Sequence, residues 1–203
     1  SGFIHELTRF VLDQAMASNA GWRAGGLDLG LAVNLSAMDL LDADLPDYIE
    51  QRLAAHGVPA ARMILEVTES ALMQDIEYAL RMLHRLKACG VRLAIDDFGT
   101  GYSSLASLHQ LPVDVVKIDR SFVSQLESSE YHRVLVQATV RVARTLGMGT
   151  VAEGVETRGQ AQLLTALQCD KGQGYLFGRP LTFEQATAWL RQRPQPAADA
   201  APA

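Results

Sequence analysis

The 203 residues suffice for one large domain or two small ones, and 48% hydrophobic against 20% charged residues, with a mean hydropathy of +0.05, exclude bulk disorder. Lys and Arg number 18 against 23 Asp and Glu, for a net charge of −5 and a pI near 5.5. So acidic a chain lacks the electrostatic footprint that grips DNA or RNA, although a small anionic ligand stays open if metal ions supply local positive charge.

In chain order, Phe3, Leu7, Phe10 and Val11 recur at helical spacing and predict an amphipathic helix to about Asn19. The run 29–35, after Gly25-Gly26, reads as a strand buried on both faces. A helix follows from about Asp44 and stops at Gly57 and Pro59. Then come a strand at 63–68, a helix at 71–89 and a strand at 91–96. A glycine-bearing loop spans 98–104 and leads into a short helix. Further strands are expected at 113–118, 150–153 and 172–177, with a helix at 129–146. Thr157-x-x-Gln160 and Thr182-x-x-Gln185 have the form of capping boxes that open the last two helices. Residues 1–192 thus read as one domain, and the Pro/Ala-rich stretch 193–203 as a disordered tail.

Six strands alternating with helices argue for parallel βαβ units, in either an open doubly wound sheet or a (β/α) barrel. A complete barrel needs eight strands and typically about 250 residues. The chain opens Ser1-Gly2-Phe3 without Met and reads as a fragment whose first strands lie upstream. Cys89 and Cys169 are far apart and outside any metal-binding spacing, as are the five histidines. That usage fits a reducing cytoplasm, and no apolar run approaches the ~20 residues needed to span a bilayer. Gly99-Thr100-Gly101 is not a dinucleotide fingerprint, and Ser103-Ser104 has no His partner for nucleophilic chemistry.

The polar residues gather at the C-terminal ends of successive strands: Asn34, Glu66 with Glu69, Asp96-Asp97, Lys117 with Asp119, Glu153 with Glu156, and Gln173. In parallel α/β folds that edge is where sites are built. Asn34 could be a turn residue, Asp96-Asp97 a loop entrance, and Lys117 half of a structural ion pair. Glu66, between Leu65 and Val67, is harder to set aside, because a buried carboxylate without a partner costs several kcal/mol, roughly. Convergence of four acids would be repulsive unless divalent cations neutralise them, and an all-oxygen donor set favours Mg²⁺ or Mn²⁺ over zinc. Neighbours in a regular strand face opposite ways, so Asp96 and Asp97 cooperate only if the strand ends there, with Gly99 allowing the turn.

Val33-Asn34-Leu35-Ser36, Leu65-Glu66-Val67-Thr68-Glu69-Ser70 and Asp96-Asp97-Phe98-Gly99-Thr100-Gly101-Tyr102-Ser103-Ser104 appear in that order. They are followed by Lys117-Ile118-Asp119-Arg120-Ser121-Phe122, Ala152-Glu153-Gly154-Val155-Glu156-Thr157 and Gln173-Gly174-Tyr175-Leu176-Phe177-Gly178-Arg179-Pro180. Together these motifs closely resemble the EAL domain family, bacterial cyclic di-GMP phosphodiesterases, over nearly the whole chain to about Arg191.

The resemblance implies a modified TIM-like barrel hydrolysing cyclic di-GMP to linear pGpG with two Mg²⁺ or Mn²⁺ ions. It makes Asn34, Glu66 and Asp96 ligands of one ion, with Asp96 bridging to a second held by Asp97 and Glu153. Lys117 would orient or activate the attacking water with Asp119 beside it, and Gln173, supported by Glu156, would position substrate. The loop 97–104 would couple the metals to homodimerisation, with Glu69 as its anchor. Any membrane tether would belong to upstream domains. The Glu-Ala-Leu tripeptide that names the family does not occur in this chain. An alternative expectation is therefore a receptor that binds cyclic di-GMP without cleaving it.

Overall fold

The computed structural model describes residues 2–100 and 108–192. Residues 101–104 of the expected loop 97–104, with the serine pair Ser103-Ser104, and the tail 193–203 lie outside them. Helix α1 (Gly2–Ala24) leads into β1 (Leu31–Leu35), α2 (Leu45–His56) and β2 (Met63–Thr68). Next come α3 (Glu69–Leu72), α4 (Ile76–Ala88), β3 (Arg92–Phe98), β4 (Val115–Ile118), α5 (Arg120–Ser124) and α6 (Glu130–Thr145). The chain continues through β5 (Gly149–Ala152), α7 (Arg158–Ala166), β6 (Lys171–Gly172) and α8 (Phe183–Gln192).

The six strands of the described residues all pair in parallel, in the order β1-β2-β3-β4-β5-β6. A doubly wound sheet reverses its strand order at a switch point. This one never does, so the barrel-type alternative holds. Leu31, Val33, Leu35, Met63, Leu65, Val67, Leu93 and Ile95 face outward into the core formed with α1, α2 and α4. A second apolar cluster gathers Ile118, Val123, Val136, Val140, Ala152 and Leu164 under α5, α6 and α7. The other face of the sheet carries Ala32, Ile64 and Ala94 together with the polar Glu66 and Lys117. β1 alternates buried and exposed residues instead of being buried on both faces, because among the described residues nothing covers Ala32 and Asn34. No helix among the described residues is long and apolar enough to cross a membrane.

Local chemistry moved several boundaries. The expected helix 71–89 is two helices, because Asp75 leaves helical geometry and its side chain accepts from Tyr78 N–H at 3.0 Å, capping α4. The expected strand 172–177 pairs only at Lys171–Gly172 and then turns, with Phe177 N–H bonded to Gly174 O. Helix α1 runs to Ala24, beyond the Asn19 expected, and α5 was not foreseen. Both capping boxes formed: Gln160 N–H reaches Thr157 Oγ1 at 3.0 Å and Thr157 N–H reaches Gln160 Oε1 at 3.0 Å. The pair Thr182 and Gln185 bonds in the same reciprocal way.

Candidate active site

β1 to β4 are in register such that Asn34 stands beside Glu66, Glu66 beside Ala94 and Thr68 beside Asp96. Side chains two apart share a face. Ala32, Ile64, Glu66, Ala94 and Lys117 thus line a cavity of about 280 Å³ along the inner face of the sheet. At its C-terminal rim the acids converge.

Asp96 and Asp97 share the site for a reason other than the one expected. The strand does not end at Asp96. Ile95 pairs with Val116 and Phe98 with Ile118, so β3 uses three steps where β4 uses two. That extra residue is a β-bulge, and Asp97 sits in it at φ 53°, a conformation Asp tolerates better than most residues. Asp97 N–H closes back on Asp96 Oδ1 at 3.0 Å, while Asp97 O accepts from Thr100 Oγ1 at 2.8 Å. One ligand oxygen from each of Asp96, Asp97 and Glu153 lies within 4.8 Å of the others.

Lys117 is the hub. Its side chain enters from β4, and the residue is only 3% exposed. Its Nζ donates to Glu66 Oε2 at 2.7 Å and pairs with Glu153 Oε1 at 2.8 Å and Asp96 Oδ1 at 3.1 Å. Burial pulls the ammonium pKa down, yet hydrogen bonds to Glu153 and Glu66 and the charges of Glu66 and Asp96 outweigh it, leaving Lys117 above its usual value. The carboxyl of Asp97 is pushed up, chiefly by burial and then by the charges of Asp96 and Asp119. Glu153 is likewise pushed up by burial, which prevails over the opposing pull of Lys117.

Around this hub the other expected residues take distinct places. The buried carboxylate of Glu69 accepts from Gly99 N–H at 3.1 Å, tying the start of α3 to the backbone just beyond the bulge. Asp119 caps α5, accepting from Ser121 N–H at 2.9 Å. Glu156 and Gln173 line a cleft of about 260 Å³ together with Glu153, Gly154, Tyr175 and Arg120. Arg120 is the residue the sequence reading passed over. Its Nη2 donates to Glu156 Oε1 at 2.9 Å, joining the β4–α5 turn to the β5–α7 loop. Gly154 makes this possible: at φ +64°, a Cβ there would lie 2.3 Å from Arg120 Cγ. Gly174 is as tight, since its Cβ would meet the Val155 backbone at 2.3 Å. That approach lets Val155 N–H bond Gln173 O and Leu176 N–H bond Val155 O, each at 3.0 Å. The only advance signal for Arg120 was its position next to Asp119.

The donors at the rim are carboxylate oxygens close enough for one small ion to touch several, and the protein places a cation, Lys117, among them. Such a set fits a hard divalent metal.

Sequentially ordered parallel strands with an acidic rim at their C-terminal ends define a domain of the TIM-barrel type. The chain belongs to the EAL domain family, whose model matches residues 1–180. Over 189 residues it is 44% identical to MucR of Pseudomonas aeruginosa, a bifunctional diguanylate cyclase/cyclic di-GMP phosphodiesterase, covering 93% of this chain and 28% of MucR. It spans about a quarter of the length of the curated relatives it matches, 25% and 28% for two of them. The PaMucR phosphodiesterase, solved as a c-di-GMP complex, superposes with a TM-score of 0.86 at 44% identity, over 91% of this chain and 75% of that one. BlrP1 of Klebsiella pneumoniae, solved with manganese and cyclic di-GMP, gives a TM-score of 0.80 at 31% identity, over 87% of this chain and 45% of that one.

Proposed function

We propose that this domain hydrolyses cyclic di-GMP to linear pGpG, in a cytoplasmic signalling protein. The observation that carries the reading is the convergence of Glu66, Asp96, Asp97 and Glu153 on one rim around Lys117. Its support from relatives is the activity named for MucR and the nucleotide held in the PaMucR complex.

Asn34, Glu66, Asp96, Asp97 and Glu153 would hold two divalent ions, Mg²⁺ or Mn²⁺. When bound, the ions supply charge neutralisation at the phosphoryl oxygens and a nucleophile at neutral pH. The chain's own groups do the rest. Lys117 Nζ, fixed by three carboxylates, presents its protons at the inner edge of the rim, where it orients an incoming water. Asp119, facing Asp97, offers that water a hydrogen-bond acceptor. Gln173, in the adjoining cleft, positions the substrate, and the Glu156–Arg120 pair steadies the wall of that cleft. Glu69 fixes the backbone beyond the bulge and through it the aim of Asp97.

We also read the domain as pairing with a second copy of itself. Tyr131 and Val134 on α6 are 67% and 56% exposed. Tyr131 borders an apolar cavity of about 210 Å³ that Phe98 and Gly99 also line, next to the bulge.

The test is incubation of the protein with cyclic di-GMP and Mn²⁺, followed by chromatography of the products. Formation of pGpG, lost by at least about 100-fold in Asp96→Asn and Glu153→Gln, is expected. Well-folded protein that binds the nucleotide and yields no pGpG would leave a receptor in place of an enzyme.

A further inference from the structure

The Lys117 ammonium meets carboxylates carried by three strands or strand ends: it donates to Glu66 on β2 and pairs with Asp96 on β3 and with Glu153 just beyond β5. The distances, 2.7, 3.1 and 2.8 Å, are those of close ion pairs, those to Glu66 and Glu153 as short as charge-assisted hydrogen bonds. These are the same carboxylates whose chemistry suits a divalent ion, and Asp97 brings a fourth negative charge to the rim. One buried monovalent cation therefore contacts the same carboxylates that a divalent ion would take.

We infer that Lys117 is an exchangeable internal counter-ion, which competes with divalent metal for Glu66, Asp96 and Glu153 and so sets how tightly the site takes it. This rests on the metal-binding reading proposed above, and goes beyond it by giving Lys117 a role before substrate is present. The physical reason is twofold. Metal entry must draw the carboxylates away from an ammonium that already satisfies one oxygen of each. The ammonium, which lines the inner-face cavity, also stays beside the incoming positive charge, so its repulsion persists after exchange. A fixed structural ion pair would have the opposite consequence, because it would present the free oxygens in ready geometry and strengthen metal binding.

Lys117→Met keeps the aliphatic stem and removes the charge. In EDTA it is expected to melt about 5 °C or more below the wild type, since four acids then share a rim with no counter-ion. Added Mn²⁺ is expected to bind the variant at least about tenfold tighter than the wild type in a calorimetric titration and to recover the lost melting temperature. Equal or weaker Mn²⁺ binding by the variant, with the wild type binding normally, overturns the inference and leaves the metal site standing. Failure of both proteins to bind Mn²⁺ overturns the metal reading itself. Should Lys117→Met not fold, Mg²⁺ titration of the wild type followed by its side-chain ammonium NMR resonances decides the matter, with Lys117→Arg supplying the assignment. The Lys117 resonance is expected to lose its protection from solvent exchange as metal binds, and unchanged protection at saturation overturns the inference.

Discussion

At the scale of the residue, the tightest constraint lies where a side chain is missing. Gly154 lets Arg120 cross the β5–α7 loop to reach Glu156, and any Cβ both collides with Arg120 and forces an L-residue to φ +64°. Gly154→Ala is expected to cost about 1–3 kcal/mol, seen as a melting temperature lower by about 3–8 °C. Glu69 carries a similar burden, being 1% exposed with its carboxylate on Gly99 N–H. Glu69→Ala strands that donor and is expected to cost about 1–3 kcal/mol in a denaturant titration, with faster amide exchange at Gly99. The sequence made the identity of these residues plain and their couplings obscure. Glu66 was legible because a carboxylate between Leu65 and Val67 has few reasons to be there. Its partner was not, since Lys117 lies 51 residues away and meets it only through strand register.

At the scale of the element, the site depends on where helices start and how strands align. Asp75 caps α4 after a break the sequence hides, because Met73 and Gln74 are compatible with a continuous helix. Asp75→Ala is expected to lower the melting temperature by about 2–4 °C through loss of about 1 kcal/mol of capping. Where α1 packs on α2, the Asp13 carboxyl is held below the usual carboxylate range, first by its hydrogen bond with His56 and then by Arg52. A depressed acid stabilises the fold above its unfolded pKa, and the benefit fades as pH falls through its folded value. The side chain is about a third exposed, so solvent screens the effect. Asp13→Asn is expected to melt about 1–2 °C below the wild type at neutral pH, and the gap to close in acid and in high salt. The strands themselves were legible from apolar runs between glycines. The last was overestimated: Tyr175, Leu176 and Phe177 have strand-like composition, yet Gly174 must turn to reach Val155.

At the scale of the whole molecule, the fold stacks two apolar clusters behind one curled sheet and concentrates negative charge at one end of its inner face. A ligand that binds only the folded state raises its stability in proportion to the logarithm of its concentration. Mn²⁺ at about 100 times its dissociation constant is expected to add about 2.7 kcal/mol, or about 5–10 °C in melting temperature. Asp97→Asn should abolish most of that shift. An equal shift in the variant would remove Asp97 from the donor set. The barrel-type order was within reach of the sequence because every polar strand end pointed to the same edge. Its choice over a doubly wound sheet needed the pairing order, which is a non-local fact no single segment carries.

The bulge in β3 gives chain length, and not residue identity alone, authority over the site. Deleting Ile95 would let β3 run evenly beside β4 and return successive side chains to opposite faces. One acid would then turn into the apolar layer behind the sheet. Homologous sequences that keep both aspartates but differ by one residue in this strand would be expected to carry a single working carboxylate there, however well their motifs align.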